Sequence, residues 1–468
     1  MSNRPETNKQ SCPVYKKCGG CQLQNLSYPE QLEFKQRKVE KLLKRFCTVE
    51  KIIGMKTPYH YRNKVQAAFY TDKKGKIISG VYQSGSHHVV GIDSCQTEDV
   101  IADKIIVAVR KLLPSFRMTT YNEDTGKGFL RHILVKRGFA TNQIMLVLVT
   151  GTPVFPSKNN FVKAILKQFP EITTIVQNIN PYRTNLVLGD NQKVLYGKGY
   201  IEDILCGCKF RISPKSFYQI NPVQTEVLYG KAIEFANLKG NETVLDTYCG
   251  IGTIGIIAAK NGAGNVIGAE LNGDAVRDAI VNARANNLKN IRFYKADAGE
   301  FMREAADEDE KPDIVFMDPP RAGSDRKFLD SLIKMSPKKV VYVSCNPETL
   351  ARDLAYLTQN SPYKAQKIQP VDMFPHTAHI ETVVLLSQLK QKPDDYINVT
   401  IELDDMDVTS AETKVTYDEI KKYVAEHNDG MKVSNLYISQ VKRKCGIEVG
   451  KNYNLPKNED SRQPQCPE

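Results

Sequence analysis

The sequence predicts an α/β protein in which an α+β domain precedes a C-terminal, doubly wound Rossmann-like sheet. Three observations carry this expectation. From Phe217 to about Leu389 apolar strand-like runs alternate with helical segments, the rhythm of parallel βαβ units. One of those runs, Val244-Leu245-Asp246, leads directly into a glycine-rich turn and a helix. From about Ile52 to Lys215 the texture differs, with strand-like runs separated by turn signals and a single helical segment.

Composition bounds the rest. A chain of 468 residues suits two to four domains at roughly 100–200 residues each. Apolar residues at 41% and charged residues at 25% are the balance of a globular protein and exclude a disordered one. No apolar run reaches the ~18 residues of a membrane span, and Met1 to Ser11 is polar without a signal-type apolar region. A cytoplasmic protein is expected. The formal charge of +12 favours a polyanionic partner, because neutralising phosphates releases condensed counterions. Eleven cysteines in a reducing compartment are not a disulfide framework, so a cluster of them points to metal.

Four segments follow in order. Residues 1–50 hold a cysteine group, Cys12 to Cys21, and a lysine-rich helix over Tyr28 to Phe46 with Leu32, Val39, Leu42 and Leu43 near helical spacing. Residues 51–215 form the α+β domain, with strands at Val65 to Tyr70, Ile144 to Thr150 and Val194 to Gly197 and a helix at Lys158 to Phe169. Residues 216–389 carry the doubly wound sheet. Residues 390–468 form an extension, with an acidic strand-like piece at Ile397 to Leu403 and a capping-box helix start at Thr416 to Glu419. Two short helical patterns flank Asn428-Asp429-Gly430, the second bearing Lys442, Arg443 and Lys444.

Gly250, Gly252 and Gly255 satisfy G-x-G-x-x-G at the end of the Val244 run, where backbone can approach a ligand at a helix N-terminus. The next strand ends in Glu270, placed to accept from a ribose diol. A nicotinamide dinucleotide and S-adenosylmethionine both carry such a ribose. Two later strands end in Asp318-Pro319-Pro320-Arg321 and Ser344-Cys345-Asn346-Pro347. An Asp-Pro-Pro tip is familiar from methyltransferases acting on nucleobases, and a dehydrogenase has no use for a cysteine there, so S-adenosylmethionine is favoured.

Carbon 5 of uracil is too weak a nucleophile to take a methyl group unaided. A thiolate adding to carbon 6 activates it, and a base must then remove the carbon-5 proton so that the thiolate can leave. Cys345 supplies the thiol. His376, His379 and Glu381, just before a final apolar strand, are the candidate bases; spacing leaves all three open.

With these segments the sequence resembles the RNA uridine-5-methyltransferase family, which has 23S rRNA and tRNA members. The resemblance runs from Cys12 to about Leu386 and rests on Asp-Pro-Pro-Arg, Ser-Cys-Asn-Pro and His379-Ile380-Glu381-Thr382-Val383. It implies Cys345 as nucleophile and Glu381 as base, with Gln219, Tyr248, Glu270, Asp297 and Asp318 lining the cofactor and uracil pocket. It also implies that Cys12, Cys18, Cys21 and Cys95, in the pattern C-x5-C-G-G-C plus a distant fourth, ligate a [4Fe-4S] cluster. The spacing itself leaves zinc equally open. Because the rRNA members carry the cluster, the implied partner is 23S rRNA, unassembled or partly assembled, with tRNA as the alternative. Only eleven residues precede Cys12, so the N-terminal RNA-binding barrel of several relatives is expected to be missing. The extension beyond Leu389 lies outside the shared core, with Lys442, Arg443 and Lys444 as an RNA contact or a solvated basic face. A nicotinamide-dependent oxidoreductase is opposed by Cys345 and Asp318. A non-catalytic RNA-binding protein is opposed by the pairing of Cys345 with Glu381.

Overall fold

The computed structural model describes residues 12–388 except 84, 87, 185, 309 and 310, together with 417–427 and 438. The described residues divide between two units, split after Gln388. In the first, sixteen strands run in chain order: β1 (Lys64–Thr71), β2 (Ile77–Tyr82), β3 (Val89–Gly91), β4 (Leu130–Arg137), β5 (Ile144–Thr150), β6 (Ile172–Ile179), β7 (Asn191–Tyr196), β8 (Ile201–Leu205), β9 (Cys208–Ile212), β10 (Thr243–Asp246), β11 (Asn265–Glu270), β12 (Ile291–Lys295), β13 (Ile314–Met317), β14 (Lys339–Ser344), β15 (Tyr363–Val371) and β16 (Glu381–Gln388).

The helix Tyr28–Leu43 opens on a capping box, in which the Glu30 carboxylate accepts from the Ser27 amide at 2.8 Å and its hydroxyl at 2.6 Å. It stops three residues short of the expected Phe46, because the chain must turn there to bring Val49 alongside Ile368. Its most buried face is Gln31, Lys35, Val39 and Leu43, spaced four apart. Two of these are polar, so leucine periodicity captures only part of that face.

The first sheet has the order β3-β2-β1-β4-β5-β6-β7, antiparallel except for β5 beside β6. The helices Val100–Leu112 and Lys158–Gln168 cover it, burying Ile105, Val109, Phe161 and Ile165 with Ile133, Leu146, Leu148 and Ile175. This is the α+β architecture expected, but with a second helix, Val100–Leu112, beside the single helical segment that the sequence predicts. β8 and β9 then form a separate hairpin, turned by Cys206 and Gly207 at φ 48° and 71°.

The second sheet has the order β12-β11-β10-β13-β14-β16-β15, with β10 to β14 mutually parallel. This is the doubly wound sheet of parallel βαβ units expected, with one addition the sequence did not announce: β16 runs antiparallel to both its neighbours. Residues 372–380, which join β15 to β16, are too few for the crossover of a dozen or more residues that a parallel return requires. The chain therefore doubles back. That reversal positions the active site.

In the second unit a helix spans Tyr417–His427, matching the start foreseen at Thr416 to Glu419. The strand-like piece Ile397 to Leu403 and the cations Lys442, Arg443 and Lys444 lie outside the described residues. No helix among the described residues is long and apolar enough to cross a membrane.

Candidate active site

Antiparallel register brings the two principal residues together. Ser344 of β14 faces Thr382 of β16, so the next step of the same register sets Cys345, just past the end of β14, against Glu381, the first residue of β16. Asp318 follows Met317, which pairs with Tyr342 in the parallel β13–β14 ladder. Three acidic groups thus reach one cleft from the ends of adjacent strands. The cleft holds about 320 Å³ and is lined by Gln219, Asp318, Arg321, Cys345, His379 and Glu381, with Phe217, Pro319, Pro320 and Phe374 as its apolar walls.

Their electrostatics are tightly linked. Burial pushes the Glu381 carboxyl well above the usual carboxylate range, Asp318 pushes it further, and Arg321 opposes both. Burial likewise raises Asp318. The Cys345 thiol is driven up to about 11 by burial first, then by Glu381 and Asp318, with Arg321 again pulling it down. Arg321 is the one side chain lining this cleft that is cationic at neutral pH, since burial and Arg321 itself hold His379 below its ordinary value.

Arg321 owes its position to the helix Pro347–Asn360. Its carbonyl accepts from Asn346 Nδ2 at 3.1 Å and Thr349 Oγ1 at 3.2 Å. Downstream, Arg352 donates to the Ala322 and Ser324 carbonyls at 2.9 and 3.1 Å, while Asp353 accepts from the Ser324 amide at 3.0 Å and the Tyr342 hydroxyl at 2.7 Å. The Asp-Pro-Pro-Arg tip is therefore clamped to the same helix that begins after Cys345.

The three candidate bases separate. Glu381 is 3% exposed and lies in the cleft. His379 also lines it, with both ring nitrogens 3.2 Å from Arg321 Nη2. His376 does not: it is buried with Nε2 at 2.9 Å from the Pro58 carbonyl and Nδ1 at 3.2 Å from Gln31 Nε2. A proton on Nε2 satisfies both contacts, which makes His376 a fixing point for its loop.

Beside the cleft, the glycine turn has the features of a ligand cradle. A side chain at Gly250, φ 55°, would meet nothing within 4 Å. Asp246 accepts from the Gly255 amide at 2.8 Å through Oδ2, while its buried Oδ1 has no partner. Glu270 braces the turn, accepting from Gly250 and Asn272 amides at 3.0 and 2.8 Å. Asp297 caps the helix Ala298–Asp307, accepting from Gly299 and Glu300 amides at 2.9 and 3.1 Å. Tyr248 reaches Ser324 at 3.4 Å. Of the five predicted pocket residues, Gln219 and Asp318 share the cleft with Cys345, whereas Tyr248, Glu270 and Asp297 follow or close β10, β11 and β12 along the same sheet edge. Arg321 stood in the motif without a role, and Asp246 passed as a strand residue; only three-dimensional placement exposes them.

Cys12, Cys18, Cys21 and Cys95 are all reduced and partly buried. Burial drives Cys21 up to about 12, with Cys95, Cys18 and Cys12 adding to it as neighbouring negative charges. The four thiols therefore face one region. No group of three or more His, Cys, Asp or Glu side chains among the described residues stands at metal-holding separation.

Comparison with known proteins agrees with this geometry. The model of the tRNA (uracil-5-)-methyltransferase family matches residues 183–389. An RNA methyltransferase of Bacillus cereus is 44% identical over 392 residues, covering 83% of this chain and 85% of the relative. One from Listeria monocytogenes is 46% identical over 379 residues, covering 80% and 83%. The crystal structure of the Pyrococcus abyssi tRNA (uracil-54, C5)-methyltransferase in complex with S-adenosyl-L-homocysteine superposes with a TM-score of 0.66 at 30% identity, covering 81% of this chain and 87% of that one. With near-full-length relatives at this identity, the chain belongs to the RNA uracil-5-methyltransferase family.

Proposed function

We propose that the protein methylates carbon 5 of a uridine in 23S rRNA, using S-adenosylmethionine, with Cys345 as nucleophile and Glu381 as base. The observation that carries the mechanism is the juxtaposition of Cys345 and Glu381 across the β14–β16 register, in a cleft with apolar walls sized for a planar ring. S-adenosylmethionine supplies the methyl group; Glu270, Asp297, Tyr248 and the Gly250–Gly252 turn would hold it, and the open space at Gly250 with the unpartnered Asp246 Oδ1 fits such a ligand. Gln219 and Asp318 orient the uracil.

The chain's residues then act in sequence. The Cys345 thiolate bonds to uracil carbon 6, and the electron pair it displaces makes carbon 5 nucleophilic. Bonding to carbon removes the negative charge from sulfur, so the repulsion between Cys345 and Glu381 disappears and the carboxylate form of Glu381 becomes easier to reach. Glu381 takes the carbon-5 proton after methylation, the electrons of that C–H bond restore the ring double bond, and the sulfur leaves as thiolate. Arg321 favours the anionic form of each acid in turn.

Residues 216–389 would carry this chemistry, residues 51–215 form the α+β central domain, residues 390–468 would contact RNA, and residues 1–50 with Cys95 would hold a [4Fe-4S] cluster. The nearness of Cys95, Cys18 and Cys12 to Cys21 supports the cluster, since the Cys21 thiol, raised by these soft donors, is relieved by binding a cation. Protein purified without oxygen should be brown with about four irons per chain, and one zinc in a colourless protein would overturn this assignment.

A tRNA substrate is the second reading, favoured by the 30% identity to an enzyme named for tRNA uracil. Incubating the protein with S-adenosylmethionine and either unmodified 23S rRNA or tRNA, then mapping 5-methyluridine, separates the two. Product in 23S rRNA is expected. Product confined to tRNA moves the substrate, and product in neither overturns the function.

A further inference from the structure

We propose that a cavity in the first sheet binds a second nucleobase, a guanine, of the RNA that carries the target uridine; this rests on the RNA reading above. The cavity lies among β1, β2, β4 and the loop after Thr120, with a volume of about 280 Å³. That is just below the ~300–1,000 Å³ range of small-molecule sites, and suits one base better than a larger ligand. Its walls are aromatic: Phe69, Tyr70, Tyr82 and Tyr121. Tyr70 and Tyr82 remain 40% and 37% exposed, leaving ring surface on which a base can stack.

It is a separate site from the catalytic cleft. Lys136, at the other end of β4, donates to the Ser213 and Ser216 carbonyls at 2.8 Å each, next to Phe217 of the cleft. Arg131 is five residues back along that strand, or about 17 Å at ~3.3 Å per residue. One RNA chain can reach both.

The polar groups select the ligand. Glu123 and Asp124 line the cavity; Glu123 stands 3.7 Å from Arg131 Nη2 and accepts from the Tyr82 hydroxyl at 3.3 Å, which fixes its carboxylate in the wall, and the two carboxylates disfavour a phosphate. They accept hydrogen bonds from bases instead. Guanine alone among the four bases presents an adjacent ring N–H and amino group to one carboxylate, a two-point contact of the kind that gives geometric specificity. Arg131 holds the frame: only 3% exposed, it donates to the Asn180 and Tyr182 carbonyls at 2.8 and 2.5 Å and stacks 4.4 Å over the Tyr121 ring. The Tyr121 hydroxyl is buried without a partner, a donor in the cavity wall that a ligand acceptor would satisfy. On the rim, the exposed Arg183 donates to the Asp124 carbonyl at 2.6 Å, which sets a cation beside the mouth where the phosphate of a bound nucleotide would run.

The test uses the full chain and two nucleosides, guanosine and inosine, which differ only by the 2-amino group. Dissociation constants are measured by saturation-transfer NMR for the native protein, Glu123→Gln and Asp124→Asn. Both side chains are at least partly exposed, so both variants should fold. We expect the native protein to bind guanosine about tenfold more tightly than inosine and at least one variant to lose that preference. Equal binding of the two nucleosides by the native protein, or a preference surviving in both variants, would overturn the proposal. The measurement needs no methyl transfer, so an enzyme inactive on every RNA would sink the functional reading and leave the guanine result to be judged separately.

Discussion

At Cys345 the local charge works against the chemistry asked of the residue. Burial and two carboxyls lift its thiol to about 11, yet the thiolate is the nucleophile. Arg321 is the side chain that pulls the other way, beside a backbone hydrogen bond at Cys345 itself, so its removal should raise the thiol further. Because the thiol must lose its proton, kcat/KM of the native enzyme should climb with pH above neutrality, the free-enzyme limb of the profile. In Arg321→Gln that limb should move to higher pH, with alkaline buffer restoring part of the loss. A profile displaced to lower pH would remove Arg321 from this role. The second residue-scale expectation concerns Glu381→Gln: attack and methyl transfer need no carboxylate, but elimination does. Methylated RNA bonded to Cys345 should persist through denaturing electrophoresis, and Cys345→Ala should form no adduct. Adduct accumulating instead in a His379 variant would move the base to that histidine. That Cys345, Asp318 and Glu381 would share one cleft was legible in sequence because each sits in a distinctive motif at a strand end, while the choice of Glu381 over His376 and His379 as base came only from the family resemblance. Arg321 was not legible, since its effect depends on which acids lie near it in space.

Between elements, the helix Tyr28–Leu43 is locked to the β15–β16 connection by a buried network. Lys35 Nζ is 2.5 Å from Asp372 with both side chains inaccessible, and it also donates to the Phe374 carbonyl at 3.0 Å. Tyr28 donates to the other oxygen of Asp372 at 2.8 Å. The cysteine segment is tied to the same connection, through the Leu23 amide to the His376 carbonyl at 2.9 Å and the Ala378 amide to Gln22 at 3.2 Å. Removing one member of a buried ion pair strands the other charge, a loss of about 3–5 kcal/mol. Lys35→Met should cost that much in denaturant unfolding and should also lower kcat, because Phe374 lines the cleft. Changing Lys35 and Asp372 together to apolar residues should recover a good part of the stability; no recovery would mean that the pair is not what makes the single change costly. The sequence announced this helix by its leucines, but its deepest face pairs Gln31 and Lys35 with residues more than 330 positions away. Periodicity cannot see such partners. The antiparallel turn of β16 escaped for a related reason: strand direction is fixed by the shortness of residues 372–380, while an apolar run reads the same in either direction.

For the whole molecule, the charge of +12 and the match to relatives over about four-fifths of the chain leave two contributions to RNA binding to be separated. The proposed catalytic residues all come no later than β16, the last strand in chain order of its sheet among the described residues. Residues 390–468 follow it in the chain, and Lys442, Arg443 and Lys444 lie outside the described residues. Deleting Lys390 to Glu468 should leave S-adenosylmethionine affinity unchanged. If the three cations contact single-stranded RNA, the slope of log affinity against log salt should become shallower by about 2, at ~0.7 per lost phosphate contact. Affinity at low salt should fall while affinity at high salt barely changes, since the electrostatic term is the one removed. Parallel salt plots for the full and shortened chains would show that these cations are a solvated face and that RNA binding belongs to residues 12–388.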